Sequence, residues 1–140
     1  MIAHTHTHTT PKDRVEFNSA IADIYAEHAA MRHLADCASR AAGYSADDMM
    51  SLADAMVAHE RTEARLFSLP FLARSPAEVG ITAAKAHRYC IEYTSGAYSP
   101  PDSNAAAARF IKALLAHLSA EEAWLAHEKQ LKNERLWTSI

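Results

Sequence analysis

The sequence predicts an all-α protein, an antiparallel up-down-up-down four-helix bundle. Hydrophobic residues make up 49% of its 140 residues, with only 3 Gly and 5 Pro, so little in the body of the chain breaks a helix. Apolar residues recur at steps of three and four through long segments, which is the spacing of one helical face. No segment alternates apolar and polar residues between turns, as a strand would.

The first two helices are expected at residues 13–42 and 46–69, joined by a turn near Tyr44. Gly43 ends the first of these segments, and glycine is the residue most often found just after a helix. Ser45 stands directly before the second segment, where its hydroxyl can cap the first turn.

The last two helices are expected at residues 76–95 and at about 103–136, the latter capped by Asp102 or Ser103. Ser75 is the predicted cap of the third helix, because it precedes a proline at the first helical position. The remaining turns are expected near Ala73 and Pro100, where the chain carries helix-breaking residues.

The N-terminal residues 1–12 differ from the rest of the chain. They have no apolar periodicity, and His4, His6 and His8 alternate with threonine. Such a tract can bind divalent metal loosely, but a solvated tail is the simpler interpretation. We therefore expect residues 1–12 to be a disordered tail and residues 13–140 to form one helical domain.

Composition argues against several classes of partner and location. The net charge is -3 and no basic cluster is present, so neither nucleic acid nor an anionic membrane is an expected partner. No apolar run reaches the roughly 18–20 residues of a membrane span, and the N-terminus does not resemble a signal peptide. Cys37 and Cys90 give no disulfide framework. A cytoplasmic monomer or homodimer is the expectation.

Polar residues interrupt the apolar faces at regular places. An imidazole stands in the face of every predicted helix, and in two helices a glutamate follows four residues later, one turn along the same face. The resulting set is His28, His59 with Glu63, His87, and His117 with Glu121. Burying an ionised carboxylate without a partner costs several kcal/mol, and a bound cation removes that cost.

The predicted topology brings this set to one level of the bundle. Counted from the turns near Tyr44, Ala73 and Pro100, the four histidines lie at matching distances to within about one turn, at about 1.5 Å per residue. Four histidines and two glutamates around a bundle axis suit two metal ions, with the glutamates bridging and the histidines as terminal ligands. These donors suit iron, and they also suit manganese or zinc.

The pattern resembles the hemerythrin-like, or HHE, cation-binding family over almost the whole chain beyond residue 12. That family has a histidine on the first helix, His-x-x-x-Glu on the second, a histidine on the third, and His-x-x-x-Glu or His-x-x-x-x-Asp on the fourth. The resemblance implies two non-haem iron ions bridged by two carboxylates and an oxo or hydroxo group. It also implies a small ligand such as oxygen, nitric oxide or peroxide.

Two features depart from the oxygen-carrying members of this family. Carriers have a second histidine four residues from the first on helix three, where this chain has Ala83 and Ile91 around His87. Carriers also use the carboxylate five residues after the last histidine, which here is Glu122 and is the alternative to Glu121. The four-histidine set is more similar to the di-iron proteins of iron–sulfur repair and to the iron-sensing hemerythrin domain of an F-box protein.

Three functions follow as hypotheses. The first is a di-iron sensor, scavenger or oxidoreductase that reacts with oxygen, nitric oxide or peroxide. The second is reversible oxygen binding, and the third is an iron-sensing or iron-handling module. A purely structural bundle without metal is the remaining alternative.

Overall fold

The computed structural model describes residues 10–40, 43–69, 75–96, 98 and 100–131. Within those residues it contains four α-helices and no strand, as the sequence predicts. The helices are α1 (Pro11–Arg40), α2 (Ala46–Phe67), α3 (Ala77–Ser95) and α4 (Pro100–Leu131). The predicted tail up to residue 9, the turn near Ala73 and the last predicted turn of helix four lie outside the described residues.

The start of α1 is two residues earlier than predicted, because Thr10 and Asp13 form a reciprocal cap. The Asp13 backbone N–H donates to Thr10 Oγ1 at 3.0 Å, and the Thr10 N–H donates to Asp13 Oδ2 at 2.9 Å. Pro11 occupies the first helical position, where its missing N–H costs nothing.

Replacing this cap gives a first testable prediction. Thr10→Ala is expected to lower the free energy of unfolding by about 1 kcal/mol, because the first turn loses an acceptor for an otherwise free N–H. Urea denaturation followed by circular dichroism measures the change. Lys12→Ala, an exposed change in the same turn, is the matched control; equal stability of the two variants would contradict a capping role for Thr10.

Two other predicted helix starts were wrong in detail. At α3 the cap position is Pro76, with extended backbone angles and no side-chain hydrogen bond, so Ser75 is not the cap. At α4 the helix begins at Pro100, earlier than the predicted start at residue 103, since proline is tolerated in the first turn. The predicted Ser45 cap of α2 is confirmed, as its side chain accepts a hydrogen bond from the Asp48 N–H.

The apolar side chains of the described residues pack into two separate clusters. The larger cluster contains the C-terminal part of α1, the N-terminal part of α2 and the first half of α4, for example Met31, Leu52 and Phe110. The smaller cluster contains the opposite ends of the same helices, for example Phe17 and Leu66. Buried polar side chains lie between the two clusters and form the candidate site.

Candidate metal centre

Five of the buried polar side chains in the described part of the chain lie between the apolar clusters. They are His28 from α1, His59 and Glu63 from α2, and His117 and Glu121 from α4, and none is more than 7% exposed. Each occupies an apolar-face position in the sequence, so their predicted burial is confirmed. We refer to these five residues as the His/Glu cluster.

The first half of the cluster is formed by two histidines around one oxygen of Glu121. Glu121 Oε1 lies 2.9 Å from His28 Nε2 and 3.1 Å from His59 Nε2. The two Nε2 atoms are themselves 3.2 Å apart. Two imidazole nitrogens therefore point at the same carboxylate oxygen, and we call this group the His28/His59 half.

The second half of the cluster centres on His117. Its Nε2 atom lies 2.7 Å from Glu63 Oε2 and 3.7 Å from Glu121 Oε2. Glu63 Oε2 is also 3.3 Å from His59 Nε2. Both carboxylates thus reach from the His28/His59 half to the His117 half.

The cluster fits a metal site by two observations. Glu121 Oε2 is fully buried and has no hydrogen-bond partner in the described part of the chain, an arrangement that is costly for an ionised carboxylate. One ligand atom each from His59, Glu63, His117 and Glu121 lie within 4.8 Å of one another. Imidazole and carboxylate together suit iron, manganese or zinc, so the donor set and the unpartnered oxygen both favour a bound cation.

The outer nitrogen of His59 is held by a second carboxylate. His59 Nδ1 lies 2.7 Å from Glu27 Oε1, and the Thr62 hydroxyl donates to Glu27 Oε2 at 2.6 Å. An ionised carboxylate only accepts hydrogen bonds, so the hydrogen of the neutral imidazole is on Nδ1. His59 Nε2 is then free to bind a metal.

His28 is held in the same way by Glu122. His28 Nδ1 lies 2.7 Å from Glu122 Oε2, and the Arg32 guanidinium binds both oxygens of Glu122, at 2.5 and 2.9 Å. The Arg32 contact holds the pKa of Glu122 below its ordinary value. Of the two glutamates considered as ligands, Glu121 therefore lies inside the cluster, while Glu122 contacts His28 from outside it.

The partner of His117 is a neutral hydroxyl. His117 Nδ1 lies 3.1 Å from Thr82 Oγ1 on α3. The same hydroxyl donates its hydrogen to the carbonyl of Glu78, at 2.9 Å, so its lone pairs can accept from the imidazole. The three histidines of the cluster thus have Nδ1 occupied from outside and Nε2 directed inward, the arrangement that orients imidazoles at metal sites.

His87 does not join the cluster, and its predicted inward orientation was wrong. Its side chain is 51% exposed, and Nδ1 lies 2.9 Å from Glu60 Oε2. Helix α3 instead turns Ala86 and Cys90 into the core. Because α3 is rich in small residues with no strong apolar face, the sequence pattern did not fix which side of this helix is buried.

The charge state of the cluster follows from these contacts. Burial alone would lower the pKa of His59, but hydrogen bonds with Glu121, Glu63 and Glu27 outweigh burial and raise it to about 10. Burial alone would raise the pKa of Glu63, yet hydrogen bonds with His117 and His59 hold that pKa far below its usual value. In the metal-free protein, a proton on His59 therefore supplies positive charge to the buried carboxylates.

Metal binding is accordingly expected to release at least one proton at pH 7 to 8, since His59 Nε2 must be deprotonated to act as a ligand. Because the metal-free pKa is about 10, the apparent affinity should rise with pH below that value and fall as the solution becomes more acidic. Calorimetric titration with Mn²⁺ in two buffers of different ionisation enthalpy counts the protons released. Identical heats in the two buffers would contradict this prediction.

Sequence reasoning missed the residues that hold the histidines from outside. Glu27, Arg32, Thr62 and Thr82 are all polar residues on the flanks of apolar faces, where solvated side chains are common. One signal was available: Glu27 directly precedes His28, and Thr62 directly precedes Glu63. Neither adjacency indicates which histidine on another helix such a residue will contact.

Comparisons of the chain with protein-family profiles, with curated proteins and with solved structures found no match. The resemblance to the hemerythrin-like family therefore stays a prediction. None of the helices in the described part of the chain is both long enough and apolar enough to cross a bilayer. The chemistry of the His/Glu cluster must follow from its geometry.

Proposed function

We propose that this protein is a non-haem di-iron protein of the hemerythrin type that binds and reacts with a small molecule such as oxygen, nitric oxide or peroxide. The observation that carries the proposal is the His/Glu cluster itself. Three inward-facing imidazole nitrogens and two carboxylates are buried in one interior layer, and one carboxylate oxygen has no hydrogen-bond partner among the described residues. In a purely structural bundle these buried ionisable groups would carry a desolvation cost that apolar side chains of similar size avoid.

Two ions are proposed because the ligand atoms form two groups. His28 and His59 would hold one ion, His117 would hold the other, and Glu63 and Glu121 would bridge them. The contacts of both carboxylates with both halves support the bridging roles. Separations of about 3.5–4 Å are usual for two-metal sites.

The bundle is proposed to have the up-down-up-down topology of the hemerythrin type. The two apolar clusters support it, since each draws on the C-terminal end of one helix and the N-terminal end of the next, as with Met31 of α1 and Leu52 of α2. Contacts across α1 and α2, such as Arg65 with Asp23, agree with neighbouring helices that run in opposite directions.

The residues around the cluster favour the binding of small ligands. Iron bound here would supply a redox-active ion with open coordination positions at which a small molecule can bind. Glu27 and Glu122 fix the orientation of His59 and His28, and the apolar clusters on both sides exclude bulk water. Because Ala83 and Ala86 face the site from α3 and cannot coordinate, fewer protein ligands surround the ions than in an oxygen carrier.

The test is anaerobic reconstitution with ferrous iron, followed by optical spectra after separate additions of oxygen, peroxide and nitric oxide. We expect about two iron ions per chain and rapid oxidation by oxygen without a lasting oxygenated form. A spectrum that persists for hours under oxygen and reverses under vacuum would instead support reversible oxygen binding. A chain that takes up no iron would refute the proposal.

Iron sensing or handling is the second candidate function, and the division of the apolar core favours it. If the polar layer needs an ion to be stable, the folded state depends on iron supply. In that case iron should raise stability strongly while the iron-loaded protein turns over neither peroxide nor nitric oxide.

A further inference from the structure

The two halves of the His/Glu cluster differ in how closely a second imidazole approaches the carboxylate oxygen. Two Nε2 atoms, from His28 and His59, lie within 3.1 Å of Glu121 Oε1. His117 Nε2 is the nitrogen nearest to Glu63 Oε2, at 2.7 Å, and His59 Nε2 lies further from the same oxygen, at 3.3 Å. With His28 and His59 on one ion, as proposed above, an ion in the His117 half has one nitrogen ligand fewer.

The halves also differ in the charge of the group that accepts a hydrogen bond from Nδ1 of each imidazole. His59 and His28 donate from Nδ1 to the carboxylates of Glu27 and Glu122, at 2.7 Å each. An anionic acceptor polarises the Nδ1–H bond, and this makes Nε2 a more basic and stronger metal ligand. Thr82, the partner of His117, is neutral and lies further away, at 3.1 Å, so His117 is the weakest of the three ligands.

Access to the two halves differs as well. A small cleft between α2 and α3 is lined by His59, Glu60, Glu63, Ala83 and His117, with Met56 and Ala86 completing the wall. Its volume of about 10 Å³ is close to the minimum that one water molecule needs. The cleft reaches Glu63, His117 and also His59, whereas Glu122 and Arg32 cover His28.

We infer that the His117 half holds its ion more weakly than the His28/His59 half and exchanges it first, through the cleft between α2 and α3. This inference rests on the proposed two-ion site. It gives Thr82 the part of a positioning residue, which sets the strength of His117 as a ligand without touching the ion.

The experiment loads the full chain with ferrous iron under anaerobic conditions and then adds an excess of a chromogenic iron chelator. Wild type is expected to release two equivalents in two phases of one equivalent each. Thr82→Val should speed the fast phase about tenfold, the lower end of outer-partner effects at metal sites, and leave the slow phase unchanged. Glu27→Gln should speed the slow phase, because it weakens His59.

Two controls separate positioning from a general loss of structure. Thr82→Ser keeps the hydroxyl and should restore wild-type release. Thr94→Val removes a similar threonine hydroxyl, bonded to the Cys90 carbonyl on the same helix but distant from the cluster, and should also behave as wild type. As an independent measurement, Ala83→Leu should narrow the cleft and slow the fast phase alone.

The possible failures are distinct. Release of two equivalents in a single phase, or acceleration of the slow phase by Thr82→Val, would overturn this inference and leave the two-ion site standing. Equal rates for Thr82→Val and wild type would overturn the positioning role of Thr82. A chain that binds no iron would overturn both the inference and the proposed function.

Discussion

Glu121→Gln is expected to abolish tight binding of both proposed metal ions, while the neighbouring Glu122→Gln retains them. The Glu121 side chain is fully buried, and its two oxygens reach both halves of the cluster. Glutamine removes a negative charge and places an N–H donor where an ion needs a lone pair. Breaking a buried charge pair costs about 3–5 kcal/mol, which corresponds to two to four orders of magnitude in affinity.

Glu122 makes the comparison sharp, because it differs from Glu121 in position and not in chemistry. Glutamine at position 122 can still accept a hydrogen bond from His28 Nδ1 through its amide oxygen, so the affinity should fall only about tenfold. Iron content after gel filtration and competition with a chelator measure both variants. If Glu122→Gln lost its iron and Glu121→Gln kept it, the carboxylate five residues after His117 would be the ligand instead.

Removal of metal is expected to lower the melting temperature by about 10–25 °C. A ligand at a thousand times its dissociation constant stabilises the folded state by about 4 kcal/mol per site, and a domain of this size gains about 3 °C per kcal/mol. Without the ions, the unpartnered Glu121 Oε2 and its buried neighbours stay uncompensated except by protons. The lost binding free energy and the uncompensated buried carboxylates both lower the melting temperature of the metal-free protein.

Differential scanning calorimetry under anaerobic conditions, with ferrous iron or with a chelator, measures this difference. Glu121→Gln is the control, since it should melt at one temperature with or without iron. Equal melting temperatures for the loaded and chelated wild type would show that the His/Glu cluster is stable without a cation.

The apolar repeat explains why most of the cluster could be predicted from the sequence. His28, His59 and His117 stand where a leucine or methionine would continue the face of a long helix. A helix that buries that face must bury these side chains too, whatever the details of packing. The same logic predicted Glu63 and Glu121, which follow one turn later, and their burial is confirmed.

The same reasoning fails where a helix lacks a dominant apolar face. In α3 the buried side chains are small, such as Ala86, and His87 adjoins that residue about 100° further around the helix. Only packing against the other helices decides the rotation of such a segment. The contacts of Thr82 and Glu122 with histidines of other helices depend on the same rotations, so a one-dimensional pattern could not predict them.

The division of the apolar core into two clusters also affects how cooperatively this domain unfolds. A small domain usually unfolds in one step because its packed contacts run without interruption from end to end. Here a layer of imidazoles and carboxylates separates two packed regions, and in the metal-free protein hydrogen bonds such as His28–Glu121 and His117–Glu63 join the helices at that layer. We expect removal of metal to speed amide hydrogen exchange near His59 more than near Leu52, while the frayed helix ends exchange fast in both forms. Bound ions would tie α1, α2 and α4 together at that layer, so that the two regions lose their protection at one common rate.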